Sequence, residues 1–279
     1  MKNPYLPMPV TIADVTVEND ARDIKTFKLT FDRAEDLAAF DYLPGQFAEL
    51  SLFGRGESPI GIASSPTEKG HLLFSVKRMG VVTGELHASG PGTKMGVRGP
   101  LGHPFPWERL EGKNILIVSG GFAFTTLRSA ITYLLDPANR GRFGTITAVY
   151  GAREPGELLY KPALKEWEAS KDIAFTTTID RPKDGWDGRV GLVPVVVKDI
   201  GPGAENAIAL VCGPPIMIKF TIPVLVELGF ANEDIVLSLE NRMKCGIGKC
   251  GRCNVGSQYV CLHGPVFTWA QLEKLPAEY

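Results

Sequence analysis

The chain has 279 residues, of which 44% are hydrophobic and 22% charged, with a formal net charge of -1 and five cysteines. That balance describes a folded protein of one large or two ordinary domains and excludes intrinsic disorder. The near-neutral charge gives no bulk electrostatic reason for nucleic acid or an anionic membrane as partner, and no apolar run is long enough to span a bilayer.

The N-terminal MKNPYLPMPV carries prolines where a secretory signal would carry its apolar segment, so the expectation is a cytoplasmic protein without membrane insertion. From Val10 to about Pro104 the chain reads as short β-rich runs, VTIADVTV, IKTFKLTF, QFAELSLF, LLFSVKRM and TKMGVRGP, punctuated by glycine and proline. An N-terminal antiparallel β-barrel over residues 1–105 is the economical reading. The Pro- and Gly-rich stretch GPLGHPFPWERLEGK (99–113) marks a boundary. Beyond it, ILIVS, TITAVY, IAFTTT, AIALVC and DIVLSL alternate with helical stretches such as TTLRSAITYLL and MIKFTIPVLVELG. This predicts an α/β domain over 112–238 with a five-stranded parallel sheet and crossover helices. Residues 239–279 form a short C-terminal segment.

Two glycine turns follow strands of the α/β half. ILIVSGGFAFTTLRSA runs from a strand through Gly120 and Gly121 into a helix, and ALVC runs into Gly213 and Pro214. Such turns let backbone N–H groups face a phosphate at the C-terminal ends of strands, where open α/β sheets bind ligands. A tight packing turn is the plain alternative for the first of them.

Four of the five cysteines arrive together, as C-x4-C-x2-C-x7-C at Cys245, Cys250, Cys253 and Cys261. Disulfides are rare in a reducing compartment and an odd total does not suggest a disulfide framework, so metal is the better reading. The first three spacings match plant-type 2Fe-2S ferredoxins, and Gly246, Gly248 and Gly251 between the ligands suit a loop wrapped closely around a cluster. Zinc ribbons instead pair two short knuckles across a longer spacer, which this pattern fits poorly.

With these motifs in order, a β-rich half followed by IVSGG, YGARE, VCGPPIM, LENRMKCGIGKCGRC and YVCLHGPVF resembles the ferredoxin-NADP reductase superfamily. More narrowly, it resembles the branch with a C-terminal 2Fe-2S segment: sulfhydrogenase gamma subunits, the corresponding subunit of anaerobic sulfite reductase, and the electron-transfer subunit of dihydroorotate dehydrogenase. The likeness covers nearly the whole chain. It implies FAD in the barrel, NAD(H) or NADP(H) in the α/β domain, and as partner a larger redox enzyme of hydrogenase, sulfite, heterodisulfide or dihydroorotate type.

The resemblance also implies site residues. Where the superfamily cradles its flavin with an Arg-x-Tyr-Ser strand, this chain has SPIG, with Ser58 at the arginine position, Pro59, Ile60 at the aromatic position and Gly61 at the serine position. Backbone amides of residues 59–62 are then left to reach the flavin. VKRMGVVTGEL resembles the segment lining the flavin ribose and pyrophosphate, with Lys77, Arg78 and Met79 on a strand and Thr83 opening a helix; a solvated strand face is the alternative. Relatives usually read G-G-x-G-x-A-P where this chain has GGFAFTT, so Gly120 and Gly121 match while Ala123, Thr125 and Thr126 do not. Thr125 has a hydroxyl able to donate to a pyrophosphate. Arg153 is placed to contact the adenylate phosphate or to serve as an exposed ion-pair partner. Cys212 resembles the cysteine near the nicotinamide, a role compatible with a buried packing thiol, and Glu240 the acidic residue near flavin and nicotinamide, or else a turn cap. No basic cluster awaits a 2'-phosphate, which leans toward NADH.

Nicotinamide gives up two electrons together as hydride, whereas an iron-sulfur cluster takes one at a time, so a flavin between them is chemically required. Phe267, Trp269 and Leu272 in the tail GPVFTWAQLEKLPAEY are expected to cover core around a short helical turn. Two other readings stand beside this one: a self-sufficient NAD(P)H reductase, and a non-catalytic zinc-bound nucleotide sensor.

Overall fold

The computed structural model describes residues 3–276. Contacts divide the chain into two units. The first comprises Met1–Phe105, Arg128–Thr132 and Leu239–Val266, and the second Pro106–Leu127, Tyr133–Ser238 and Phe267–Tyr279.

The first unit contains strands β1 (Met8–Val17), β2 (Ile24–Phe31), β3 (Phe47–Leu52), β4 (Gly56–Gly61), β5 (Leu72–Lys77) and β6 (Lys94–Leu101), with short helices α1 (Ala34–Ala39) and α2 (Val81–Ala88). They form one six-stranded antiparallel sheet in the order β4-β3-β6-β1-β2-β5. The structure thus shows the antiparallel sheet of the expected barrel, and among the described residues no ladder joins its end strands β4 and β5. Period-two alternation explains the inward face, because Val10 and Ile12 of β1, Phe27 and Leu29 of β2 and Phe74 and Val76 of β5 are wholly or nearly wholly buried. Each such side chain contributes about 1.5–3 kcal/mol on leaving water. Strand β4 was visible only through resemblance, since GESPIG has no apolar alternation of its own.

The second unit contains α3 (Trp107–Leu110), β7 (Asn114–Gly120), α4 (Phe124–Leu135), β8 (Ile146–Ala152), α5 (Lys161–Ala169), β9 (Ala174–Ile179), β10 (Arg189–Val190), α6 (Val193–Ile200), β11 (Ala207–Cys212), α7 (Pro215–Glu227) and β12 (Ile235–Ser238). After β13 (Asn254–Val255), β14 (Gln258–Tyr259) and α8 (Val260–His263) in the first unit come β15 (Val266–Thr268) and α9 (Trp269–Leu272). The sheet runs β10-β9-β8-β7-β11-β12-β15 and so has seven strands where five were expected. The five apolar runs are all present and pair in parallel. The additions are edge strands of two and three residues, too short for an apolar pattern to reveal. Burial of β11 at every position is what a parallel strand covered on both faces requires. Phe267 and Leu272 of the C-terminal turn are buried, in keeping with a role in covering core.

The sheet order reverses beside β7: the chain moves to β8 and β9 on one side, then returns to lay β11 and β12 on the other. The carboxyl ends of β7 and β11 therefore flank a topological switch point, the position at which open α/β sheets take up ligands.

In the first unit, the end of β6 is fastened to the C-terminal segment. The His103 N–H donates to the Gly264 carbonyl at 2.6 Å, and the Leu239 N–H to the Pro265 carbonyl at 2.9 Å. Gly102 makes this approach possible. Its φ is +72, and a Cβ there would stand 2.5 Å from Pro265 Cδ and 2.9 Å from the Gly264 carbonyl oxygen. Gly102→Ala is expected to destabilise the protein by about 2 kcal/mol or more, read as a lower urea midpoint than wild type with an unchanged slope.

Candidate functional site

The four clustered cysteines all lie in the first unit, between Leu239 and Val266, and all are free thiols. The β13–β14 hairpin returns the chain so that Cys253 and Cys261 bring their sulfurs to 3.3 Å. On the C-x4-C side the loop folds back on itself, and the N–H groups of Lys249 and Cys250 donate to Cys245 Sγ at 3.2 and 3.4 Å. Gly248 N–H donates to Cys261 Sγ at 3.2 Å, and Cys261 N–H to Cys253 Sγ at 3.5 Å. Gly246, Gly248 and Gly251 have φ of +70, +72 and +72, the left-handed conformation that turns backbone N–H groups inward.

These donors change the acidity of the thiols. Burial works to raise the Cys245 pKa, yet the N–H groups of Ile247, Cys250 and Lys249 outweigh it and bring the thiol down to about 7. Cys261 goes the other way, pushed up to about 12 by burial and by its hydrogen bond with Cys253.

The thiols are grouped in twos, Cys245 hydrogen-bonded with Cys250 and Cys253 with Cys261. Two irons that take two thiolates each divide four ligands this way, whereas a tetrahedral zinc needs all four around one point. The residues therefore fit a 2Fe-2S cluster. Cys253 and Cys261 are buried, while Cys250 reaches solvent.

Beneath the loop lies a group that sequence reasoning missed. Glu49 of β3 is wholly buried, and neither carboxylate oxygen has a hydrogen-bond partner among the described residues. A Cβ on Gly246 would come within 3.2 Å of Glu49 Oε1, which places the carboxyl directly under the first ligand turn. Its sheet neighbours are Pro59 and Arg98. The Arg98 guanidinium is committed to Glu57, with Nη2 donating to Oε2 at 2.7 Å. Burial pushes the Glu49 pKa up to about 8, against the opposing pull of Arg98. The available signal was a carboxylate within the otherwise uncharged strand FAELSL.

Of the flavin candidates, Ser58, Pro59, Ile60 and Gly61 lie half-buried on β4. Strand β5 ends at Lys77, so Arg78 and Met79 sit beyond it rather than on it. The Thr83 hydroxyl explains the break, because its Oγ1 accepts the N–H groups of Met79 and Gly80, each at 2.9 Å, and draws the chain into a turn. Helix α2 begins at Val81, which puts Thr83 in its first turn rather than at its opening. Lys77 pairs with Asp23 at 3.7 Å. Arg78 is exposed and has no ion pair among the described residues.

The nucleotide candidates converge on the switch point of the second unit. Cys212 is paired with Ser119 across β11 and β7, and Ser119 Oγ donates to the Cys212 carbonyl at 2.9 Å. That brings the two glycine turns together, with the Cβ position of Gly213 only 3.6 Å from Gly120 N. Met217 from α7 fills the space over both: its sulfur would be 2.6 Å from a Cβ on Gly120, and its methyl 2.2 Å from one on Gly213. Close packing thus accounts for glycine at 120 and 213, and Met217 is a further residue at this point. Gly121 is fixed by Tyr150, whose hydroxyl donates to its carbonyl at 3.4 Å while the ring stacks on Phe124 at 3.8 Å. Thr125 is buried in the first turn of α4. Pro214 is exposed just before α7, and Arg153 is exposed just past β8 without an ion pair among the described residues.

Cys212 is buried, and its thiol donates to the Ser238 carbonyl at 3.5 Å. Glu240, in the first unit, reaches solvent, yet the protein crowded around its carboxyl raises its pKa.

Comparison with known proteins adds the following. Residues 117–222 match the oxidoreductase NAD-binding domain family, and residues 240–273 the iron-sulfur cluster binding domain of dihydroorotate dehydrogenase B. The chain is 36% identical to sulfhydrogenase 1 subunit gamma of Pyrococcus furiosus, over 98% of this chain and 94% of that one. It is 33% identical to a probable dihydroorotate dehydrogenase B (NAD(+)) electron transfer subunit of Thermococcus kodakarensis, over 89% and 97% of the two chains. Among solved structures, an NADH-dependent reduced ferredoxin-NADP oxidoreductase, described in terms of flavin-based electron bifurcation, superposes with a TM-score of 0.74 at 27% identity, covering 100% of this chain and 95% of that one. No helix among the described residues is long and apolar enough to cross a membrane.

The Glu49 carboxyl gives the site a pH signature. Folding raises its pKa from an ordinary 4.5 to about 8, so the folded chain holds a proton that the unfolded chain releases. Stability from this group is full below about pH 4.5 and falls as pH rises toward 8, by about 5 kcal/mol in all. Glu49→Gln is expected to flatten that part of the Tm-against-pH curve; a variant with the wild-type slope between pH 5 and 8 would remove Glu49 as its cause.

Proposed function

Because the chain belongs to the ferredoxin-NADP reductase superfamily, in the branch of the sulfhydrogenase gamma and dihydroorotate dehydrogenase B electron-transfer subunits, we propose that it is the electron-transfer subunit of a larger redox enzyme. It passes electrons between NAD(P)H and that enzyme by way of FAD and a 2Fe-2S cluster. The observation that carries this reading is the two-by-two grouping of four free thiols under inward-facing N–H groups. The match of residues 117–222 to an NAD-binding domain family supports the nicotinamide partner. The likeness to a reductase described as flavin-based supports the flavin.

FAD, when bound, supplies the exchange between the paired electrons of hydride and the single electrons a cluster carries. The chain supplies the surroundings. In the first unit, read as a flavin-binding barrel over residues 1–105, Ser58, Pro59, Ile60 and Gly61 would line the flavin, with the backbone amides of residues 59–62 left to reach it. Thr83 holds the turn that presents Arg78 and Met79 to the pyrophosphate, while Lys77 is steadied by Asp23. In the domain over 112–238, the start of α4 after Gly120 and Gly121, with Thr125 in its first turn, receives the dinucleotide pyrophosphate. Arg153 meets the adenylate phosphate. Cys212, Gly213 and Pro214 would hold the nicotinamide end of the dinucleotide in the second unit, and Glu240 would serve the flavin in the first. The segment 239–279 holds the cluster through Cys245, Cys250, Cys253 and Cys261. The grouping in twos argues against a zinc-bound sensor.

Anaerobic purification is expected to yield a yellow protein containing iron and inorganic sulfide; a colourless protein containing zinc would overturn the reading. Cys253→Ser is expected to abolish electron delivery to the companion enzyme while NAD(P)H still bleaches the flavin absorbance. A variant that feeds its companion at the wild-type rate would show that electrons do not pass through the cluster.

A further inference from the structure

Strand β3 is buried at every position, although an antiparallel strand ordinarily turns one face to water. Its alternate residues Ala48, Leu50 and Leu52 belong to the core of the first unit, so Phe47, Glu49 and Ser51 occupy the opposite face. Glu49 on that face is 0% exposed, and among the described residues it is the only carboxyl with both oxygens buried and without a hydrogen-bond partner. Such a group is costly to keep, and where a fold retains one it points to a redox or catalytic role or to a polar partner. The sheet does not supply that partner. Across the ladder, Pro59 has no N–H to offer, and Arg98 is committed elsewhere: Nε and Nη2 donate to Glu57 at 3.3 and 2.7 Å, and Nη1 to the Pro4 carbonyl at 3.3 Å.

The carboxyl lies instead against the C-terminal lobe. Its Oε1 and Cγ stand 3.2 and 3.5 Å from the Cβ position of Gly246, the left-handed residue that turns the chain directly after Cys245. Leu101 of β6 closes the same spot, with Cδ1 2.6 Å from that position. On the other side, the N–H groups of Ile247, Lys249 and Cys250 already converge on the Cys245 sulfur. A carboxyl buried without a cation to pair with it is held as the neutral acid, which has one O–H to donate and no charge to set against a thiolate.

We propose that Glu49 is a positioning residue for the metal centre: its carboxyl is the hydrogen-bond donor beneath the Cys245 ligand turn, and through that ligand it holds the reduction potential of a 2Fe-2S cluster above the value an apolar side chain would give. A hydrogen bond toward ligand sulfur disperses the negative charge that reduction adds, so it favours the reduced state. One electron enters or leaves while the proton stays on Glu49, and no bond forms or breaks. The proposal rests on the electron-transfer reading above and names one of its controls.

The test is an electrochemical titration of the anaerobically purified, full-length chain, at about pH 6 so that the acid is neutral, with the EPR signal of the reduced cluster as readout. Glu49→Gln keeps a neutral donor of the same shape and is expected to leave the one-electron reduction equilibrium within about twofold of wild type. Glu49→Leu keeps the bulk without the donor and is expected to lower that equilibrium constant about tenfold, which is about 59 mV for one electron. A Leu variant at the wild-type potential would overturn the proposal by showing that Glu49 only fills space. A Gln variant raised about tenfold would also overturn it, since the wild-type carboxyl would then carry charge. Where the Leu variant holds no iron, reduced-minus-oxidised infrared difference spectra of wild type and Glu49→Gln decide. The C=O band of a protonated carboxyl, shifting on reduction in wild type and absent from the Gln variant, is the expected result; a wild-type spectrum without it would sink the assignment. Iron and sulfide present with a potential indifferent to residue 49 would remove this proposal alone, whereas a wild-type chain purified without iron and sulfide would remove the electron-transfer reading with it.

Discussion

Four sulfurs that carry or share negative charge can be gathered within a few ångströms only if positive charge is brought to meet them. The lobe between Leu239 and Val266 answers this at three distances. Closest are the N–H groups of Gly248, Lys249, Cys250 and Cys261, directed at sulfur by glycines in the left-handed region. Below the loop, Glu49 remains largely protonated near neutral pH, because burial raises its pKa and the nearby Cys245 adds to the effect. At the surface of residues 241–264 stand Arg242, Lys244, Lys249 and Arg252 and no carboxylate. A charged Glu49 in that position would set an uncompensated anion against the thiolates in a medium of low polarity, where such repulsion is strongest.

The second unit meets a different requirement, close approach of backbone. Its sheet reverses order beside β7, and the hydrogen bond from Ser119 to the Cys212 carbonyl locks the two strand ends that matter. Glycine at 120 and 213 then serves two purposes. It lets the strand ends lie close together and leaves room for the Met217 thioether above them. Methionine suits this position because its flexible side chain can give way where a branched one could not. Behind the turn, the Tyr150 hydroxyl and the Phe124–Tyr150 stack hold the Gly121 carbonyl from the core side.

Where the chain's chemistry depends on residue type and spacing, it could be read without a structure. The C-x4-C-x2-C-x7-C run announced its metal, and five apolar runs located the parallel strands because burial on both faces writes itself as unbroken hydrophobicity. What depends on the third dimension was hidden. The edge strands β10 and β15 are too short to carry a period. The break after Lys77 is imposed by a hydroxyl farther along the chain, on Thr83, which no propensity registers. Glu49 is inconspicuous in FAELSL until Gly246, far along the chain, is seen to lie on top of it. Met217 stands in the VCGPPIM motif, but its purpose appears only once both glycines are seen beneath it.

The cluster lobe is not a tail. It leaves the second unit's sheet after β12 and the chain rejoins that sheet at β15, with the Leu239 N–H bonded to the Pro265 carbonyl at the neck. Residues 240–264 therefore form a noose whose two ends are pinned together independently of anything the noose encloses. If iron is lost to oxidation, the thiols stay tethered at high effective concentration to one another, because loop closure has already been enforced at the neck. Repair then amounts to reloading a bound loop rather than refolding a strayed chain end.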